Sequence, residues 1–203
     1  MDTQYIHIKK EVTDLTNNYF GNLIEYLKEN YEIDTFKQSL CDMEVDNIIG
    51  IEIDDNVKNI YEHYKLFNLV WFKEGKYWGE INYVPYEDLD KEHEELVEIM
   101  KEIYDTNGDK YELVSDIMNW YPLFYFGNGD AFCLDKRNGN VVLYEHEVYD
   151  SGKNLHGLII ARTIDDLYYK WSKIHFADVY YWDKICNDEG IDINSEFAHK
   201  YLL

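Results

Sequence analysis

Basic residues are in short supply in this chain. Only 19 lysines and arginines stand against 41 aspartates and glutamates, a formal net charge of -22. Such an excess repels phosphate backbones and anionic lipid, which argues against direct nucleic-acid binding and attachment to a membrane surface. Cysteine is scarcer still: Cys41, Cys133 and Cys186 are odd in number, far apart and in no Cys-x-x-Cys pair. That excludes a disulfide framework and a zinc knuckle, and it points to a reducing, cytoplasmic setting. No run of about 18 uncharged apolar residues occurs, and the opening MDTQYIHIKKEV has no apolar h-region, so neither a membrane span nor a signal peptide is expected. Proline occurs twice, at Pro85 and Pro122, and few elements are interrupted by it.

Aromatic residues, by contrast, are abundant. Twenty tyrosines, 9 phenylalanines and 5 tryptophans in 203 residues give ample core-forming surface, and one domain over 1–203 is the simplest organisation. The stretch that organises it runs from Trp120 to Glu147. Three apolar runs, Tyr121 to Phe126, Ala131 to Asp135 and Val141 to Glu147, are separated by GNGD and RNGN, whose residues tolerate positive φ. They predict a three-strand antiparallel meander. Leu123 and Tyr125 alternate with Phe124 and Phe126, so the first strand is expected to be covered on both faces, its ladder starting just after Pro122.

Helical periodicity frames this sheet. Leu15, Tyr19, Phe20, Leu23 and Leu27 mark one helix behind Asp14 or Thr16, and Val57, Ile60, Tyr61, Tyr64 and Phe67 a second behind Asp54 or Asp55. Residues 31–50 fit a loop or an alternating strand. Val70 to Phe72 and Tyr77 to Val84 read as a hairpin across Lys73-Glu74-Gly75-Lys76. From Glu87 to Tyr104 the pattern gives an acidic helix: Leu89, His93, Leu96, Val97, Met100 and Ile103 or Tyr104 face inward, and the carboxylates form a negative face that includes Glu87, Asp88, Glu92, Glu95 and Glu98. The cluster at 105–109 ends it. Residues 148–157 are loop-like, and Leu158 to Ala161 could form a short strand. Thr163 with Asp166 resembles a capping box for a helix carrying Leu167, Tyr168, Trp171 and Ile174, and Asn194 or Ser195 can cap a last short one. The fold class is therefore α+β: a mostly antiparallel sheet centred on the meander, with helices packed on it from the N-terminal and C-terminal parts.

Catalytic motifs fail on inspection. The GNGD turn lacks the third glycine of a dinucleotide fingerprint and the Gly-Lys-Ser/Thr of a P-loop, and Val97 stands where a His-Glu zinc motif beginning at His93 needs its second histidine. Lys110 and Arg137 spoil two calcium-like loops. Asp130, Asp135, Glu145, His146 and Glu147 could converge as an acid/base or metal cluster. The alternative, and the one favoured, is that Asp130 and Asp135 satisfy turn amides. Cys133 sits mid-strand, as a packed thiol would. No cofactor, metal or catalytic residue is expected.

Trp120, Gly127, Gly129, Asp130, Asp135, Gly139 and His146, in that order around two turns, resemble the core signature of the SUKH superfamily. Asn68, the glycines Gly75 and Gly79, VPYEDL at 84–89 and ARTIDDL at 161–167 also look like that family in order. The resemblance covers roughly residues 50–175, with extensions at 1–49 and 176–203. It implies a bacterial immunity protein that occludes a cognate toxin, or a regulatory interaction module of the cell-wall-synthesis (Smi/Knr) kind. The first is the leading expectation, with the acidic helix as the contact face and a nuclease with a basic groove as one fitting toxin. A homo-oligomer is compatible with it. A metal-dependent hydrolase using His146 and Asp130 is the third reading.

Overall fold

The computed structural model describes residues 19–107, 115–146 and 154–201. The expected caps at Asp14 and Thr16, Leu15, the end of the stop cluster at 108–109, Lys110, Glu147, the loop through 153 and the side chains of Ile103 and Tyr104 lie outside that description.

Helix α1 (Tyr19–Asn30) buries Phe20, Leu23 and Leu27 of the predicted stripe and adds Ile24, which the stripe did not include, while Tyr19 is half-buried. It is followed at once by strand β1 (Glu32–Leu40), which the sequence left open between loop and strand. A small hairpin, β2 (Asn47–Ile48) and β3 (Ile51–Glu52), leads to α2 (Asp55–His63). Asp54 caps α2 as expected, its carboxylate accepting from the amides of Asn56 and Val57 at 2.8 and 2.9 Å. The helix ends earlier than its apolar stripe predicted: Tyr64 and Phe67 belong to β4 (Tyr64–Lys73). Pairing with β1, which sets Tyr64 opposite Leu40 and Phe67 opposite Gln38, decides the matter in favour of strand, and β5 (Lys76–Tyr83) joins the other side of β4 from Asn68 onward. The turn between β4 and β5 places Glu74 and Gly75 at φ +53° and +70°, the tight hairpin geometry that the local sequence suggests.

A 3-10 turn (Tyr86–Asp88) opens α3 (Leu89–Asn107), the acidic helix. The meander follows as β6 (Trp120–Tyr125), β7 (Ala131–Asp135) and β8 (Val141–Tyr144), and β9 (Ile159–Ala161) extends it. Helix α4 (Ile164–Lys173) is capped by Thr163, whose hydroxyl accepts from the Asp166 amide at 3.0 Å. Past a 3-10 turn (Trp182–Lys184), the chain forms the hairpin of β10 (Cys186–Asn187) and β11 (Gly190–Ile191). The last expected helix is one 3-10 turn (Ala198–Lys200), and the Ser195 hydroxyl accepts from the Ala198 amide at 3.1 Å.

Seven strands form one sheet in the order β1-β4-β5-β6-β7-β8-β9, each antiparallel to its neighbours. Pro122 sits within the β6 ladder rather than before it, opposite Cys133, and a register shift between Pro122 and Phe124 absorbs it. On the β5 side pairing starts only at Phe124, so the amide that proline lacks is not needed there.

The two sheet faces are covered unequally. One carries α1, α2, α4 and the C-terminal segment over Phe67, Leu69, Trp71, Ile81, Phe124 and Phe132, all fully buried. Ring packing fills it: Phe20 stacks on Phe67 at 4.2 Å, and Trp171 meets Phe124 and Phe132 at 5.0 Å each. The other face carries α3, with Leu96 and Met100 on Trp120, Ala131, Cys133, Val142 and Tyr144. Among the described residues no helix is long and apolar enough to cross a membrane.

Candidate functional site: an acidic helix beside an open half-sheet

Helix α3 covers β6 to β8 only. On the same side of the sheet, β1, β4 and β5 present Thr35, Lys37 and Ser39 in register with Val70, Asn68 and Leu66, and Asn82 and Glu80 in register with Asn68 and Val70. Leu66 is 37% exposed, and Asn68, Val70 and Phe72 are half-buried, whereas Phe67, Leu69 and Trp71 on the reverse of the same strand are at 0%. The amide of Asn68 donates to that of Asn82 across the strands at 3.2 Å. The result is a three-strand floor of mixed polar and apolar character that no described helix covers.

The wall of this floor is one flank of α3. Asp88, Glu92, Glu95 and Ile99 follow one another at spacings of four, three and four, so they share a flank. The Glu92 carboxylate lies beside the hydroxyl of Tyr125, which fixes which way that flank points, since Tyr125 pairs with Asn82 of β5. Burial, with Cys133 and Glu92 close by, pushes the Tyr125 phenol up. Ile99, 47% exposed, adds an apolar contact to the row. Residues 87–98 hold seven carboxylates and one basic residue, Lys91, which contacts Glu95 at 3.1 Å and Glu92 at 3.8 Å. Exposed pairs of this kind are worth little and break readily, so the flank keeps its negative field.

The predicted set of acids divides. Asp88, Glu92 and Glu95 border the open half-sheet, and Glu87 sits at the entry turn, paired with Lys65 at 2.6 Å. Glu98 instead lines a groove of about 360 Å³ on another side of α3, with His93, Glu94, Val97, Lys101 and Met118. The floor itself went unread in the sequence. The signal that could have found it is the polar pair Asn68 and Asn82, each alternating with fully apolar neighbours in β4 and β5.

The turn residues have local structural partners. Gly129 lies at φ +90°, and a side chain there would meet the His146 ring at 2.9 Å, so the turn folds directly over the imidazole. Gly127 donates its amide to Glu80 at 2.8 Å, and Gly139 takes φ +77° in the second turn. Asp130 accepts from the His146 amide at 2.8 Å and the Asn128 side chain at 2.7 Å. Asp135 accepts from the Arg137 amide at 3.0 Å and pairs with its guanidinium at 2.6 Å, and Arg137 also holds Asp116. Burial would raise the Asp135 carboxyl, but the hydrogen bonds from Arg137 outweigh it and hold the group below the usual carboxylate range. Trp120 is buried beneath α3.

Asp130 therefore meets His146 through the backbone, and Glu145 is engaged elsewhere, accepting from the Leu155 amide at 2.6 Å. Among the described residues no three histidine, cysteine or acidic side chains are grouped to hold a metal ion. Cys133 is fully buried, and burial pushes its thiol up. Neither a family model, nor a curated protein, nor a solved structure matches this chain.

Proposed function

We propose that this chain is an immunity protein of the SUKH kind, which binds a cognate toxin one to one and blocks it by occlusion. The observation that carries the reading is the pairing of an acidic helix flank with a half-sheet that no described helix covers. An interface of standard size takes roughly 800 Å² from each partner, combining apolar contacts with a polar rim. Leu66, Val70, Phe72 and Ile99 offer the first, while Asp88, Glu92, Glu95 and the Asn68-Asn82 pair offer the second. A negative wall steers a basic partner and raises its association rate by roughly 10 to 10³ fold at low salt. A nuclease with a basic substrate groove has the complementary surface. No catalytic role is assigned to any side chain.

The fold fits the same proposal. The antiparallel meander, the glycines at positive φ and the aspartates that close both turns act as scaffold, which leaves the exterior to carry the contact. Coexpression with the toxin gene beside its own tests it: growth is restored if the reading holds, whereas continued toxicity together with no complex between the purified proteins refutes it.

A further inference from the structure

Strand β5 loses its neighbour partway along. It pairs with β6 only through Asn82 and Tyr83, and at Gly79 the segment after α4 takes the vacant place, through an antiparallel bridge to Ala177. That segment leaves α4 by a strained corner. His175 and Phe176 lie at φ +54° and +52°, a region disfavoured for side chains of either type. Packing must hold such a corner in place.

Three contacts do so. Trp171 Nε1 donates to the Ala177 carbonyl at 2.9 Å. The His175 ring stacks on Tyr26 at 4.2 Å, with Nδ1 2.9 Å from the Tyr201 carbonyl. The third contact is unusual: the Tyr77 hydroxyl stands 3.1 Å from Asp178 Oδ2 and 3.2 Å from Glu80 Oε2. A phenol has one proton to donate, and it faces two carboxylates. Glu80, already taking the Gly127 amide at 2.8 Å, is held in place. If both acids are ionised, one of the two oxygen contacts is a repulsion, and a second proton on a carboxyl turns it into a hydrogen bond.

The surroundings favour that second proton. Asp178 faces Tyr77 and Glu80 on β5, Asp130 in the β6–β7 turn, and Tyr201 from the chain's end. All are acids or phenols, and no described lysine, arginine or histidine pairs with Glu80 or Asp178. Burial pushes Asp178 up to about 6, against the pull of the Tyr77 hydrogen bond and with help from Asp130 and Glu80. Burial raises Glu80 as well.

We propose that Tyr77, Glu80 and Asp178 form a proton-operated latch: a proton on one of the two carboxyls, bonded to the Tyr77 oxygen while the phenol donates to the other, fastens the segment after α4 to β5, and its loss to solvent lets that strained segment lift. A carboxyl raised in the folded state binds its proton more tightly there than in the open chain, so the latch is shut below about pH 6 and weakens as pH rises through that value. The edge it uncovers adjoins the half-sheet described above, because Glu80 and Val70 are cross-strand partners.

Two measurements on the whole protein test it. A carbon-detected NMR titration should give the Asp178 carboxyl a midpoint about two units above the ordinary value near 3.9. Amide exchange across residues 177–180, corrected for intrinsic rate, should lose on the order of 100-fold protection between pH 5 and 8. In Asp178→Asn, whose amide is a permanent donor in place of the protonated carboxyl, that protection should persist to pH 8. An Asp178 midpoint near 4, protection independent of pH in the wild type, or the same pH dependence in Asp178→Asn would each overturn the latch. Should the variant not fold, the wild-type titration decides alone.

Discussion

His93 Nδ1 lies 2.7 Å from the carbonyl oxygen of Trp120, and the same ring stacks on Tyr121 at 4.1 Å. This contact pins the acidic helix to the first strand of the meander. His93→Leu keeps much of the packing and removes the donor, leaving the Trp120 carbonyl without it. A loss of about 1–2 kcal/mol of stability is expected, measured by urea unfolding. A change within about 0.3 kcal/mol, the usual scatter for an uninvolved surface position, would show that the contact does not hold the helix.

Asp135 and Arg137 make a second, pH-dependent prediction. The carboxyl is held below its ordinary value in the folded chain, so its contribution is present above the unfolded value and is lost as pH falls through the lower, folded one. Asp135→Asn should therefore cost about 2 kcal/mol at pH 7, the discount from a fully buried pair reflecting the half-exposed Arg137. The gap to wild type should begin to narrow below about pH 4, the unfolded value, and close as pH passes the lower, folded one. Parallel denaturation curves at pH 7 and 3 check it, and a gap that stays constant would assign the cost to packing alone.

Gly79 has no room for a side chain. A Cβ there would lie 2.2 Å from the Trp71 ring, itself fully buried. Gly79→Ala should destabilise by about 2–3 kcal/mol through overpacking, whereas Gly75→Ala, in open space, should cost mainly the strain of its positive φ, about 1 kcal/mol. Thermal melts of the two variants rank them. The reverse order would contradict the packing of Trp71 against β5.

How much of this could be read beforehand depended on pattern strength. The meander was legible because GNGD and RNGN interrupt continuous apolar runs, and α2 and α4 because Asp54 and Thr163 stand where caps must. Strand β1 was not, because its residues are exposed or half-buried on both faces and carry no clean alternation. Tyr64 and Phe67 continued the apolar stripe of α2, and only pairing with β1 turned them into strand. For the site, the negative face of α3 was legible in composition. That Glu98 points away from Asp88, Glu92 and Glu95, and that a half-sheet covered by no described helix lies beside them, depends on where the helix sits across the strands, and sequence spacing does not contain it.

Cysteine chemistry gives a further check. Cys133 is fully buried and pushed up by burial, while Cys186, raised to about 12, and Cys41 are only partly covered. A thiol reagent at pH 7 should label Cys133 only on unfolding and the other two slowly in the native state. Labelling of Cys133 without unfolding would place β7 at the surface.

The most direct test of the proposal is the affinity of the purified chain for a candidate toxin drawn from the genes neighbouring its own, measured by calorimetry for wild type and for the triple variant Asp88→Lys, Glu92→Lys, Glu95→Lys. One-to-one binding by the wild type, weakened at least 100-fold in the variant while its melting temperature stays within a few degrees, is the predicted result. Equal affinity of the two proteins would remove the acidic flank as the contact, and no binding by either would contradict the immunity reading itself.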